Sequence, residues 1–136
     1  MSFPSLNFIK KTISIIFKIE KKKLTGDLNI IFVDKKNIKK INMEFLNEKN
    51  STDVIAFPYE IQKNITDQVF GDIYICVQEA TLNAKEYSQS IKKELVRLIV
   101  HGTLHLLGYD DHKKKDYEKM WARQELIVSK LFNNKK

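Results

Sequence analysis

The chain predicts an α+β fold: one domain over residues 1–136, a small sheet packed with helices. Three observations predict it. Short β-rich runs and helical periodicities are mixed without a strict β-α-β alternation. One helical stretch, Ile91 to Leu107, is apolar almost all round and so belongs at the centre of a core. At 136 residues and 43% hydrophobic content, the chain can fill one core, and no internal repeat or second domain is visible.

Taken in order, Leu6, Ile9, Ile13 and Ile16 recur at helical spacing between Ser5 and Ile19, with Lys10, Lys11 and Lys18 between them. Pro4 suits a first turn. Such a basic amphipathic helix can lie on a membrane, but packing against the sheet is the commoner arrangement and the one expected. Lys21 to Lys23 and Thr25-Gly26-Asp27 make a turn, and Leu28 to Val33 reads as a strand. Asp34 can cap a helix in which Ile38, Ile41, Phe45 and Leu46 form a buried stripe; Lys35, Lys36, Lys39 and Lys40 form its solvated face. Asn47 to Asn50 is a polar loop. The apolar run Val54 to Phe57 is a strand that Pro58 ends or marks as an edge.

Residues 59–68 read as a mobile polar loop, and Gly71 to Val77 as another strand. Fifteen residues separate Phe57 from Ile73, enough for the two runs to pair antiparallel. Gln78 to Ser88 reads as a helix, and Ser90 caps the buried one from Ile91 to Leu107. Lys113 to Phe132 makes the last helix, with Tyr117, Met120, Trp121 and Leu131 available for packing; residues 133–136 are expected to fray.

Net charge is +7 and the pI about 9.4, which fits a polyanionic partner. The charge is nearly all lysine, however: Arg97 and Arg123 are the only arginines, and arginine is the better bidentate reader of phosphate. Cys76 is the one cysteine, so no disulfide can form within the chain; it reads as a buried small hydrophobe in a reducing compartment. No apolar stretch reaches the ~18 residues of a membrane span. The opening Met-Ser-Phe-Pro-Ser lacks the pattern of an export signal, so a cytoplasmic protein is expected.

All three histidines fall in His101-Gly-Thr-Leu-His105-Leu-Leu-Gly108-Tyr-Asp110-Asp111-His112. His101 and His105 lie about 40° apart around a helix and leave the same face. Gly108 can take a left-handed helix stop, after which Asp110, Asp111 and His112 return toward the pair. Two imidazoles plus a third donor form a ligand set for Zn²⁺ that keeps one position open. A polar pair on so apolar a helix also needs partners, which a metal supplies. Zinc with an open position lowers the pKa of its water from 15.7 to about 7, so metal-assisted hydrolysis is the favoured chemistry. Gly102 stands where His-Glu-x-x-His peptidases carry their general base, which disfavours peptide hydrolysis. Phosphodiesters suit the charge better. Asp110 or Asp111 could orient the metal's water, or cap the helix that follows.

His101-Gly-x-Leu-His105-Leu-x-Gly-Tyr-Asp, preceded by Thr52-Asp53-Val54-Ile55-x-Phe57 and by Gly71-Asp72-Ile73, resembles the YbeY family of bacterial rRNA maturation factors. Asn42-x-x-Phe45-Leu46-Asn47 and Met120 with Glu125 extend the likeness from about Leu28 to Leu131. The resemblance implies a zinc-bound, single-strand-specific endoribonuclease, one ion per chain. It would act on ribosomal RNA at the small subunit, in 16S 3′-end maturation and ribosome quality control. It also implies a small mixed β-sheet with the metal in a cleft beside it. Family members usually open with a strand ahead of the first helix, expected here to be short or absent.

Two positions depart from the family pattern. Its third histidine falls ten residues after the first, where this chain has Asp111, with His112 one later. The expected metal ligands are His101, His105 and His112, since imidazole suits zinc and a loop can absorb one residue. Asp111 is the competitor, and His101 with Asp111 are the candidate catalytic residues. Many members also carry an arginine, thought to bind phosphate, where this chain has Leu46; Lys49 is the candidate substitute for RNA binding. The alternative to an RNase is a ribosome assembly factor whose metal is structural and whose nuclease activity is slight.

Overall fold

The computed structural model describes residues 3–58 and 70–132. The loop expected at 59–68 and the frayed tail at 133–136 lie outside the described residues.

Five helices and three strands follow in the order α1 (Leu6–Ile19), β1 (Leu28–Val33), α2 (Lys35–Leu46), β2 (Val54–Pro58), β3 (Gly71–Cys76), α3 (Val77–Glu86), α4 (Ile91–Leu106) and α5 (Lys114–Phe132). Among the described residues α1 is the first element. Its start is fixed by Ser5, whose Oγ accepts from the Phe8 N–H at 3.1 Å. Asp34 does the same for α2 through the Asn37 N–H at 2.9 Å, and Ser90 for α4 through the Lys93 N–H at 3.0 Å. Each cap satisfies a donor that the first helical turn leaves without an intrahelical partner.

The sheet runs β1-β3-β2 and is mixed. β1 lies parallel to β3, from Leu28 opposite Gly71 to Val33 opposite Cys76. β2 lies antiparallel to β3, with Val54 opposite Ile75 and Pro58 opposite Gly71. Pro58 thus sits on an edge strand, where its missing N–H costs no ladder bond.

Alternation along the strands gives the sheet two faces. Ile73 and Ile75 point to one, where Leu95, Leu98 and Ile99 of α4 and Ala80 of α3 cover them. Ile55 and Tyr74 point to the other, against Ile38 of α2. Behind α4 lies a second apolar cluster: Val96, Val100 and Leu104 meet Ile16 of α1 and Met120, Ile127 and Val128 of α5. The helix expected at the centre is there, between the sheet and α1 with α5. α1 itself packs chiefly on α4 and α5 rather than on the sheet, because α4 already occupies that face.

Two packing expectations are corrected. In α2 only the first half of the stripe is buried: Ile38 is fully covered and Ile41 partly, while Phe45 and Leu46 are 63% and 48% exposed. The second buried position is Asn42, whose Nδ2 donates to the Asn50 carbonyl at 2.7 Å. In α5, Met120 and Leu131 are buried, but Tyr117 and Trp121 are not.

Gly102 sits at a close approach of α4 to the sheet. A Cβ there would stand 2.8 Å from Cγ2 of Ile73, a buried and β-branched neighbour with no room to swing. Overpacking costs about 1–3 kcal/mol, against up to ~1 kcal/mol gained by alanine in a helix. Gly102→Ala is therefore expected to destabilise by about 1 kcal/mol net. Urea unfolding measures it, and a gain in stability would contradict the close contact.

Candidate metal centre

α4 brings His101 and His105 side by side at its C-terminal end, with ring centroids 4.7 Å apart. The helix stops at Leu106, and Gly108 turns the chain with φ +107°, a conformation suited to glycine. The returning loop sets Asp111 over the two rings: its Oδ2 lies 3.4 Å from His105 Nε2 and 3.8 Å from His101 Nε2. These three groups offer ligand atoms within 4.8 Å of one another.

The far nitrogen of each ring is already engaged. His101 Nδ1 lies 2.7 Å from Gln124 Oε1, and His105 Nδ1 lies 3.1 Å from the Tyr109 carbonyl. Both partners are acceptors, so each Nδ1 carries the proton and each Nε2 presents a lone pair toward Asp111. The Gln124 amide cannot be turned round without losing the bond from its Nε2 to Glu125 Oε2 at 3.0 Å. An outer acceptor that fixes tautomer and ring orientation is how metal-bound histidines are held. Burial pushes the His101 pKa below its ordinary value, with the neighbouring His105 lowering it further; the bond to Gln124 and the Asp111 charge only partly offset this. The ring is thus neutral near pH 7, the form that binds metal.

Behind Gln124 runs a continuous polar chain. Arg97 clamps Glu125 through Nε at 2.8 Å and Nη2 at 3.0 Å, and reaches Glu94 through Nη1 at 3.1 Å. Asn83 Nδ2 bridges Glu94 and Asp53 at 3.2 and 3.0 Å. The loop ahead of β2 is therefore tied to α3, α4 and α5, and through Gln124 to the His101 ring. Ser51 adds a bond to Glu79 at 2.8 Å.

The site opens into a cleft of about 710 Å³ between the loop and edge formed by residues 50–58 and the histidine face of α4; Asn42, Leu46 and Glu48 line its far side. A second cleft, of about 550 Å³, lies on the other side of His101 and shares Asp53 and Val54 with the first.

The structure brings together His101, His105 and Asp111. It does not bring His112 into that trio. The His112 N–H donates to Asp110 Oδ1 at 2.9 Å, closing a tight turn that sends the ring outward. Its side chain is 79% exposed, with Nδ1 3.2 Å from Asp110, although it lines the rim of the cleft. Asp110, Asp111 and His112 form a second, more exposed group that could hold an ion. Lys49 is exposed, and its neighbours Glu48 and Asn50 line the cleft instead. Gln124, Asn83, Glu94 and Arg97 are not singled out by any sequence motif. The one signal for Gln124 is a polar residue on the buried face of α5, where it is 2% exposed.

The sequence pattern described as Endoribonuclease YbeY matches residues 3–132. An Endoribonuclease YbeY from Elusimicrobium minutum is 45% identical over 107 residues, covering 78% of this chain and 75% of that protein. One from Thermotoga neapolitana is 39% identical over 115 residues, covering 82% and 73%. A solution structure of a Thermotoga maritima protein superposes with a TM-score of 0.65 at 29% identity, covering 94% of this chain and 81% of the other.

Proposed function

The chain belongs to the endoribonuclease YbeY family, and from that premise we propose a metal-dependent endoribonuclease that cuts single-stranded ribosomal RNA. One observation carries the metal dependence: both imidazoles have their Nδ1 bound to an acceptor, so both Nε2 atoms converge on Asp111 Oδ2. We assign His101, His105 and Asp111 as the ligands of one ion per chain, zinc in the first instance. A divalent ion held there supplies Lewis-acid stabilisation of a phosphodiester and an acidified water.

The chain's own residues do the rest. Gln124 and the Tyr109 carbonyl hold the rings in register, and Asp111 lends the site a negative charge that strengthens cation binding. The open cleft leaves room for an extended strand, the form of RNA whose bases are free to be contacted. The net charge of +7 supports attraction of RNA. The setting proposed is 16S rRNA 3′-end maturation and quality control at the small ribosomal subunit, in the cytoplasm. A free, buried Cys76 is in keeping with that location, and no helix among the described residues is long and apolar enough to cross a membrane.

Leu46 favours a second reading. It lines the cleft with an exposed apolar side chain, in place of a cation that would grip a phosphate. An assembly factor with a structural metal and slight cleavage would tolerate that.

Elemental analysis of the purified protein, paired with cleavage of single-stranded and duplex rRNA fragments, tests both. Bound metal with single-strand cleavage supports the nuclease; bound metal without cleavage supports the assembly factor. The ligand assignment has its own test. Asp111→Ala is expected to lower metal affinity by about a hundredfold or more, the upper end of what losing a mere orienting partner costs. His112→Ala is expected to leave it within a fewfold. The reverse order would make His112 the ligand.

A further inference from the structure

The second cleft has a wall that the metal centre does not use. Tyr117 and Trp121 stand four residues apart on α5 and stack at 6.3 Å between centroids, 19° from parallel. Each is 47% exposed. Both line the cleft that also contains His101, and Tyr87, 65% exposed, lines it after α3. An aromatic pair at this spacing steadies a helix, but that alone does not place it on a cleft continuous with a metal ligand.

The charges in this cleft argue against a phosphate occupant. Asp53 and Glu94 line it as carboxylates, and its cation, Arg97, is already held by Glu94 and Glu125. A flat, uncharged group with amino donors fits better: its face lies on the rings, and its edge meets carboxylate and amide oxygens. Nucleobases are such groups, and unpaired bases of single strands are bound by stacking on aromatic side chains.

We propose that the Tyr117–Trp121 pair is a stacking subsite for an unpaired nucleobase of the RNA whose phosphodiester lies at the metal centre. This rests on the endoribonuclease reading above and extends it. The subsite supplies a physical basis for single-strand preference, since a base inside a duplex has no free face to offer.

Trp121 is the only tryptophan, so its emission reports this cleft alone. A short single-stranded oligoadenylate titrated into the metal-loaded protein is expected to quench it saturably, and an abasic chain of equal length to leave it unchanged. Trp121→Ala is expected to weaken oligoadenylate binding about tenfold, read by anisotropy of a labelled strand, with metal content unaltered. Tyr117→Leu keeps the fluorophore and serves if the first variant loses its helix signal in circular dichroism; quenching is expected to fall with it. Should the oligonucleotide bind and be cut while emission stays constant and the variants bind as wild type, the subsite is refuted and the nuclease reading stands. Absence of both binding and cleavage removes the two together. Emission that follows protein concentration rather than RNA assigns the pair to contact with a second copy and also refutes the subsite.

Discussion

His105→Ala is expected to abolish both metal retention and RNA cleavage while leaving the protein folded. The ring is one of two imidazoles in the proposed ligand trio, and its loss leaves one histidine and one carboxylate, short of the three protein ligands a catalytic zinc site needs. The drop in affinity should exceed the roughly 10–100-fold that removal of an orienting partner causes. Folding should be spared, since the side chain is 31% exposed and its hydrogen bond to the Tyr109 carbonyl is made at the end of α4. Metal stoichiometry, circular dichroism and cleavage on the same preparation check this. Full retention of metal by the variant would mean that the ion, if any, sits elsewhere.

Arg97→Ala should destabilise the fold more than either Gly102→Ala or His105→Ala. It removes the clamp on Glu125 and the bond to Glu94, leaving Glu94, 5% exposed, with Asn83 as its remaining donor. Breaking a buried pair costs about 3–5 kcal/mol. Glu125 is 32% exposed and partly screened, so roughly 2–4 kcal/mol is expected.

The deficit should depend on pH. Burial raises the Glu125 pKa, but hydrogen bonds from Arg97 and Gln124 overcome this and hold the carboxyl below its ordinary value. Its contribution is therefore present above the ordinary carboxylate value and lost as pH falls through the lowered one. Burial holds the Glu94 carboxyl above its ordinary value despite the bonds from Asn83 and Arg97. Its contribution is greatest in acid and is lost as pH rises through the raised value. Without Arg97 both carboxyls are harder to ionise, so the variant's deficit should be larger near pH 7 than near pH 4. Denaturant midpoints at the two pH values measure the difference. An equal deficit at both would mean that Arg97 acts through packing of its stem.

Local signals made much of this molecule legible. Asp34 and Ser90 are short polar residues immediately ahead of periodic runs, and both cap helices as expected; Ser5, read as the start of the first helix with Pro4 in its first turn, is that helix's cap, and Pro4 lies ahead of it. β1 is apolar and β-rich, with a turn before it and a cap after it, and its bounds were readable to the residue. The proximity of His101 and His105 follows from helical geometry alone. What escaped depends on contacts distant in sequence. Periodicity places Phe45 and Leu46 on the stripe of Ile38, but Phe45 meets Phe57 of the edge strand β2 edge-on and Leu46 borders the open cleft, so both stay largely exposed, and Asn42 is buried because Asn50 returns to accept its amide hydrogen. Gln124 is polar, and nothing nearby in the chain reveals that it supports a ring 23 residues away.

Spacing cannot say which of two adjacent side chains faces inward after a glycine turn. The Asp110 carboxylate takes the His112 N–H, and Asp111 is the side chain of the two that faces the His101 and His105 rings.

Gly102 carries a further consequence. Between the two imidazoles α4 shows the sheet a bare α-carbon, with Ile73 filling the space where a side chain would begin. An acid grafted onto that turn would have to begin inside the Ile73 contact, so the position that carries the base in His-Glu-x-x-His peptidases is taken up here by packing against the sheet.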